Sequence, residues 1–236
     1  MNPIPAVARD WEVSDDQKTY EFHLREDARY WNGEKVTADH FRDAWFKLID
    51  PDEHAEYSFL FDIVKGVESY RKGETDDPET VGIKVLSSET LEVELEHPAA
   101  HFLKILCHHS FVPIHPKHLE KDNWKTYSSI VGNGPYYILE RDAEKIVLNR
   151  NEWYWDAPNV SIPQMEIVFI DDQNEIMEKF NNKEIHWVAD SMILDRVEDK
   201  QSIIPNSLFS TNYFYFFCGQ KPWSNPKVRE GLARML

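Results

Sequence analysis

The chain has 236 residues, with 26 Lys and Arg against 42 Asp and Glu, and a formal net charge of −16. Hydrophobic residues make up 42% and aromatic residues 13%, enough for a core in one large domain or two small ones, which excludes wholesale disorder. An acidic chain disfavours polyanions, so no nucleic-acid partner is expected.

Other global features narrow the reading further. Cys107 and Cys218 are the only cysteines, too few for a disulfide framework, and they read as half-buried thiols. No run approaches the roughly 18 apolar residues of a membrane span. The opening Met1-Asn-Pro-Ile-Pro-Ala-Val-Ala8 shows neither the basic nor the apolar region of a secretory signal. The chain reads as soluble, and either cytoplasmic or exported by a signal lying outside it.

In chain order, Thr19-Tyr-Glu-Phe-His-Leu-Arg25 alternates with the period of a half-buried strand. Trp31-Asn-Gly-Glu34 is a turn. A helix follows with Thr37 as N-cap, Asp39 in the first turn, and Phe41, Ala44, Trp45 and Leu48 on one apolar face. Asp50-Pro51 stops it, because the residue before a proline is driven out of the helical region. A second helix is expected from about Tyr57 to Tyr70. Two strands follow, Gly82–Leu86 and Thr90–Leu95, the second with Leu91, Val93 and Leu95 inward and Glu92, Glu94 and Glu96 outward.

Pro98 opens a short helix carrying Phe102, Leu103 and Leu106. Gly132-Asn-Gly134 is a turn feeding an extended pair, Tyr136–Leu139 and Lys145–Leu148. Met165–Ile170 reads as a buried strand, Asn174 as the cap of a helix holding Ile176, Met177 and Phe180, and Ile185–Val188 as another strand. The middle third thus reads as strand–helix–strand, the pattern of a wound α/β lobe. A strand at Tyr213–Phe217 and a helix opening at Pro226 follow, the latter without a stop signal before Leu236.

Catalytic motifs are missing. There is no Gly-x-Ser-x-Gly, P-loop, Gly-x-Gly-x-x-Gly or Cys-x-x-Cys. His97, His101, His108, His109, His115 and His118 crowd one short span. His97 and His101 have the spacing of a zinc or nickel pair on a helix, but Pro98 interrupts it and no Glu-x-x-His companion follows. The run therefore reads as a polar rim where two lobes meet, and neither metal nor cofactor is expected. Glu74-Thr-Asp-Asp-Pro-Glu79 is a solvated loop without calcium-loop spacing. Eight Trp and ten Tyr exceed what the core demands, and some suit a ligand cleft.

An ordered set of motifs carries a resemblance. It runs through Trp11-Glu-Val-Ser-Asp-Asp16, Tyr20-Glu-Phe-His-Leu-Arg25, Ala28-Arg-Tyr-Trp-Asn-Gly33 and Val36-Thr-Ala-Asp-His-Phe41. It continues through Val112-Pro-Ile-His-Pro-Lys117, Gly132-Asn-Gly-Pro-Tyr136, Leu148-Asn-Arg-Asn-Glu-Trp-Tyr-Trp155 and Asn225-Pro-Lys-Val-Arg229. In this order the set resembles the family 5 extracellular solute-binding proteins of bacterial peptide ABC transporters, nearest to the oligopeptide-binding type.

The resemblance implies an α/β, periplasmic binding protein-like type II fold, and a chain about twice as long. On that footing residues 1–110 are an extra α/β subdomain, 111–190 part of the first ligand-binding lobe, and 191–236 the hinge and truncated start of the last lobe. The implied function is binding of extended oligopeptides for a cognate membrane permease, without enzymatic activity. The implied location of the full-length protein is periplasmic, or lipid-anchored outside the cytoplasmic membrane. The implied ligand-binding residues are Tyr57, Phe59, His108, Ala189 and Asp190. Phe59 stands where the family has a tyrosine, and Ala189 and Asp190 stand where amides are usual. A chain with one and a fraction lobes is expected to bind peptide less tightly than the full protein. The competing readings are a truncated, self-associating remnant and a metal-dependent enzyme using the histidine run.

Overall fold

The computed structural model describes residues 3–119, 130–189, 192–205 and 213–235. The chain divides into two compact units, Met1–Ile170 and Asp171–Leu236. The expected lobe boundaries near residues 110 and 190 are a different kind of division, since they refer to a longer protein.

The first unit opens with a four-stranded antiparallel sheet. Strands β1 (Ala8–Val13), β2 (Thr19–Leu24), β3 (Ile83–Ser87) and β4 (Thr90–Glu94) lie in the order β1-β2-β4-β3. The alternation in the sequence sets its register: Tyr20 opposes Val93 and Phe22 opposes Leu91. One face therefore carries Tyr20, Phe22, Leu24, Leu91 and Val93 into the core. The other carries Glu21, Glu92 and Glu94, with Lys65 and Lys84 as surface ion partners of Glu94 and Glu92. Such exposed pairs contribute little stability.

Helix α1 (Ala38–Ile49) covers the apolar face with Ala44, Trp45 and Ile49. Thr37 stands at its N-cap, where the Thr37 N–H donates to His40 Nδ1 at 3.3 Å. Asp50 leaves the helix at ψ 125°, the extended conformation required before Pro51.

The expected long helix over Tyr57–Tyr70 is broken. A 3₁₀ turn covers Ser58–Phe61, and α2 occupies only Val67–Arg71. Between them Val64 bridges to Leu95, and Gly66 takes a left-handed φ of 72°. Tertiary pairing with the sheet overrides local helical preference here. α3 (Phe102–Ile105) follows Pro98 as expected, and α4 (Pro116–Leu119) comes next.

The middle third differs from the expected alternation. β5 (Tyr136–Arg141), β6 (Lys145–Arg150) and β7 (Gln164–Val168) form an antiparallel meander. β7 is also mostly exposed, not buried, and it pairs with β6 along one edge.

In the second unit, α5 (Gln173–Asn181) is capped by Asp172, whose carboxylate accepts the Asn174 N–H at 2.8 Å; Asn174 is inside the helix rather than its cap. Ile176 and Met177 are buried beneath it. Ile185–Val188 and Tyr213–Phe217 are not in strands, because an apolar run supplies no ladder partner by itself and none is found among the described residues. α6 (Pro226–Ala233) begins at the expected proline, with the Asn225 side chain accepting the Lys227 N–H, and it ends within the chain at the Arg234 cap. Cys107 and Cys218 are both exposed and free, correcting the expectation of half-buried thiols. Cys107 follows α3, its Sγ 3.5 Å from the Leu103 carbonyl.

Candidate functional site

The candidate site grows out of a buried aromatic stack. In the Ser58–Phe61 turn the side chains split between two directions: Phe61 is fully buried while Phe59 is 55% exposed. Phe61 stacks on Phe111 with centroids 4.1 Å apart. Trp45 closes on both rings edge-on, and its Nε1–H donates to the Phe111 carbonyl at 3.1 Å. A buried indole needs such a partner, so this bond fixes the position of the short 3₁₀ turn His109–Phe111.

Pinning the two turns together brings their outer residues into contact. The Tyr57 ring lies 4.7 Å from the His108 ring and 5.5 Å from that of His109. Phe59 lies 6.5 Å from Tyr57, and the two imidazoles are 4.1 Å apart. His108 caps its turn: its Nδ1 accepts the Ser110 N–H at 3.3 Å, so the neutral ring carries its proton on Nε2. That leaves a donor for an acceptor such as a peptide carbonyl.

Two grooves flank the cluster. One, of about 310 Å³, is lined by Trp11, Phe41, Leu103, Leu106, His108 and Val112. The other, of about 380 Å³, is lined by Lys47, Leu48, Glu56, Tyr57, His109 and Ser110. Apolar walls with a few convergent polar groups suit recognition of an organic ligand.

Three of the residues singled out in the sequence, Tyr57, Phe59 and His108, thus come together. Ala189 is exposed in the second unit, and Asp190 lies outside the described residues. His109 was not singled out, although it touches both Tyr57 and His108. Its adjacency to His108 was the available signal. The contact between Phe61 and Phe111 that aligns the site has no sequence signal, because it joins distant segments.

The histidine run does not behave as a uniform polar rim. His97 and His101 are exposed, but His115 and His118 are buried at 6% and 3% exposure. They turn inward because backbone N–H groups of Lys117 and Val131 meet their ring nitrogens. Among the described residues, no group of three or more His, Cys, Asp or Glu side chains could hold a metal ion. No helix among them is long and apolar enough to cross a membrane.

Comparison with known proteins gives the wider frame. The model of the bacterial extracellular solute-binding proteins, family 5 Middle, matches residues 2–235. The chain is similar to the dipeptide-binding protein DppE of Bacillus subtilis, 31% identical over 238 residues, covering 98% of this chain and 43% of that protein. It is similar to the periplasmic oligopeptide-binding protein OppA of Salmonella typhimurium, 32% identical over 252 residues, covering 100% of this chain and 45% of that protein. A crystal structure of a periplasmic oligopeptide-binding protein from Borrelia burgdorferi superposes with a TM-score of 0.83 at 26% identity, covering 97% of this chain and 47% of that one. The mixed α/β architecture is therefore that of part of a periplasmic binding protein-like fold. The chain spans less than half the length of these relatives, which are named as binding proteins, not enzymes.

Proposed function

Because the chain belongs to family 5 of the bacterial extracellular solute-binding proteins, we propose that it serves in the peptide-binding component of an ABC import system, outside the cytoplasmic membrane. In this reading the Tyr57, Phe59 and His108 side chains form one wall for an extended oligopeptide. The observation that carries the reading is the Tyr57–His108 contact with Phe59 exposed beside it, an aromatic group outside the main core. Tyrosine and phenylalanine give large contact area at low entropic cost. The His108 Nε2–H supplies a donor for the ligand backbone, while water in the flanking grooves accommodates varied side chains. A membrane permease would read the closed, ligand-bound population.

Titration of the isotopically labelled chain with a mixed library of short peptides at millimolar concentration tests this. Amide shifts concentrated at Tyr57, Phe59, His108 and His109, and lost in Tyr57→Ala, are expected. Shifts scattered elsewhere, or none, overturn the assignment. Calorimetry on the same sample is expected to show binding weaker than micromolar, since so short a stretch of the family's length contributes one side of a cleft.

A second reading, self-association, draws on the second unit. Tyr213, Phe214, Tyr215 and Phe217 are each at least two-thirds exposed, with Tyr213, Tyr215 and Phe217 in successive ring contact. Apolar surface of this kind favours a partner. Light scattering over a concentration series tests it, and a monomer throughout excludes it.

A further inference from the structure

Beneath the Ala28–Val36 turn, three imidazoles lie in a row. The rings of His40 and His115 are 6.4 Å apart, and those of His115 and His118 are 6.1 Å apart. Tyr30, fully buried, packs against His40 at 5.5 Å and His115 at 4.8 Å. The Tyr30 hydroxyl has no hydrogen-bond partner among the described residues.

Each ring uses one nitrogen as an acceptor for a backbone N–H. His40 Nδ1 accepts from Thr37 at 3.3 Å, His115 Nδ1 from Lys117 at 3.2 Å, and His118 Nε2 from Val131 at 2.9 Å. His115 Nε2 meets Glu34 Oε2 at 2.8 Å. The His118 bond joins α4 to the chain entering β5 and the Glu34 contact joins the Ala28–Val36 turn to the segment before α4, while the Thr37 and Lys117 bonds close the first turns of α1 and α4.

We propose that His40 and His118 form an acid-sensitive latch: while neutral, His118 holds α4 to the chain entering β5 and His40 holds the first turn of α1, and both are released when protonated. The chemistry is direct. A proton added to a neutral ring must go to the nitrogen that now accepts, so a lone pair facing an N–H becomes a second N–H facing it. The bond is lost and its site becomes repulsive.

The surrounding charges do not prevent this. His40 faces Asp39 and Asp43 from its own helix, Glu34 from the turn and His115 from the segment before α4. The carboxylates favour a proton, but burial, followed by the neighbouring His115, outweighs them and holds His40 below the usual histidine range. His118 faces His115 and Lys117 and is lowered by burial first and then by those charges. His115 has Glu34 and Asn32 on one side and Tyr30 against its ring. An unfolded histidine titrates near about 6.5. The latch is therefore fully engaged above that pH and weakens as pH falls through the lower folded values, because the unlatched state binds more protons.

Hydrogen exchange, read residue by residue and corrected for the intrinsic pH dependence, tests the latch. Between about pH 7.5 and about pH 5 the Thr37 and Val131 amides are expected to lose about tenfold in protection, while those of β2 and β4 keep theirs. In His118→Gln, whose side-chain carbonyl can accept the Val131 N–H without titrating, Val131 is expected to stay protected in acid. Should that variant fail to fold, His40→Gln read at Thr37 serves the same purpose, and the wild-type profile stands by itself. Equal loss across the sheet, or no loss at the two amides, overturns the proposal.

Discussion

Trp31 and Tyr137 stack face to face, with centroids 5.1 Å apart and planes 20° from parallel. Trp31 also donates its Nε1–H to the Ile130 carbonyl at 2.8 Å and its backbone N–H to Gly132 at 3.0 Å. Nearby, Arg25 lies 4.1 Å over the Trp155 ring and Arg29 lies 5.7 Å from that of Trp153. Together these contacts fasten the turn after β2 to the β5–β7 meander. Trp31→Ala is expected to cost about 2 kcal/mol, the scale of a half-buried aromatic with one hydrogen bond. Trp31→Phe, which keeps the stack and loses the Nε1 bond, is expected to cost about 1 kcal/mol. Urea unfolding of the two variants measures the difference, and equal costs would place the whole effect in the hydrogen bond.

Gly66 and Gly73 form a natural pair for a backbone test. Both have left-handed φ, 72° and 70°. A Cβ on Gly66 would lie 2.2 Å from the Thr80 carbonyl oxygen, whereas one on Gly73 meets nothing within 4 Å. Gly73→Ala is expected to cost about 1 kcal/mol from the left-handed conformation alone. Gly66→Ala must also move backbone and is expected to cost at least about 3 kcal/mol. Thermal unfolding of both variants checks the order.

Trp45→Phe leaves the buried Phe111 carbonyl without its indole donor. The expected cost is about 1–3 kcal/mol. Since that bond fixes the His109–Phe111 turn, the Tyr57–His108 contact should loosen with it. Weaker peptide-induced shifts at His108, beyond the loss of stability, are the signature to seek.

Tyr57→Ala and Phe59→Ala remove exposed aromatic rings. Stability is expected to change by no more than about 0.5 kcal/mol, as for other surface positions. Peptide-induced shifts should fall in both. Unchanged shifts in both variants would remove these rings from the ligand wall.

Histidine titrations should separate by environment. His23 Nδ1 lies 2.5 Å from Asp10, and this hydrogen bond raises the His23 pKa above its ordinary value while lowering that of Asp10. The His23 contribution is therefore present below about pH 6.5 and lost as pH rises through the raised folded value. His40 and His118 shift the opposite way. Ring-proton NMR across the pH range is expected to place His23 above an unstructured histidine and the other two below it. Asp10→Asn should bring His23 back toward the free value.

Much of the first sheet is legible in the residues. The alternation in Tyr20–Leu24 and Thr90–Leu95 determines which side chains face inward, because neighbouring residues on a strand point to opposite faces. Thr37, Asp50 and Pro51 bracket α1 for local steric and hydrogen-bonding reasons. β1 was hidden because Ala8–Val13 lacks that alternation and depends on β2 for its ladder. The apolar runs at Ile185–Val188 and Tyr213–Phe217 show the converse: strand-like composition without a partner strand among the described residues.

The candidate site divides in the same way. Motif order along the chain identified the family and pointed to Tyr57, Phe59 and His108. It could not distinguish the half-exposed His108 from the buried His115 and His118, since an imidazole is equally suited to a surface and to a satisfied interior. The sequence by itself determined the binary pattern of the first sheet, the limits of α1 and the family. Only the tertiary structure decided that Phe61 meets Phe111, that Tyr57 therefore meets His108, and that His118 meets Val131. Those contacts join segments far apart in the chain, where no local periodicity operates and the geometry is set by how whole elements pack.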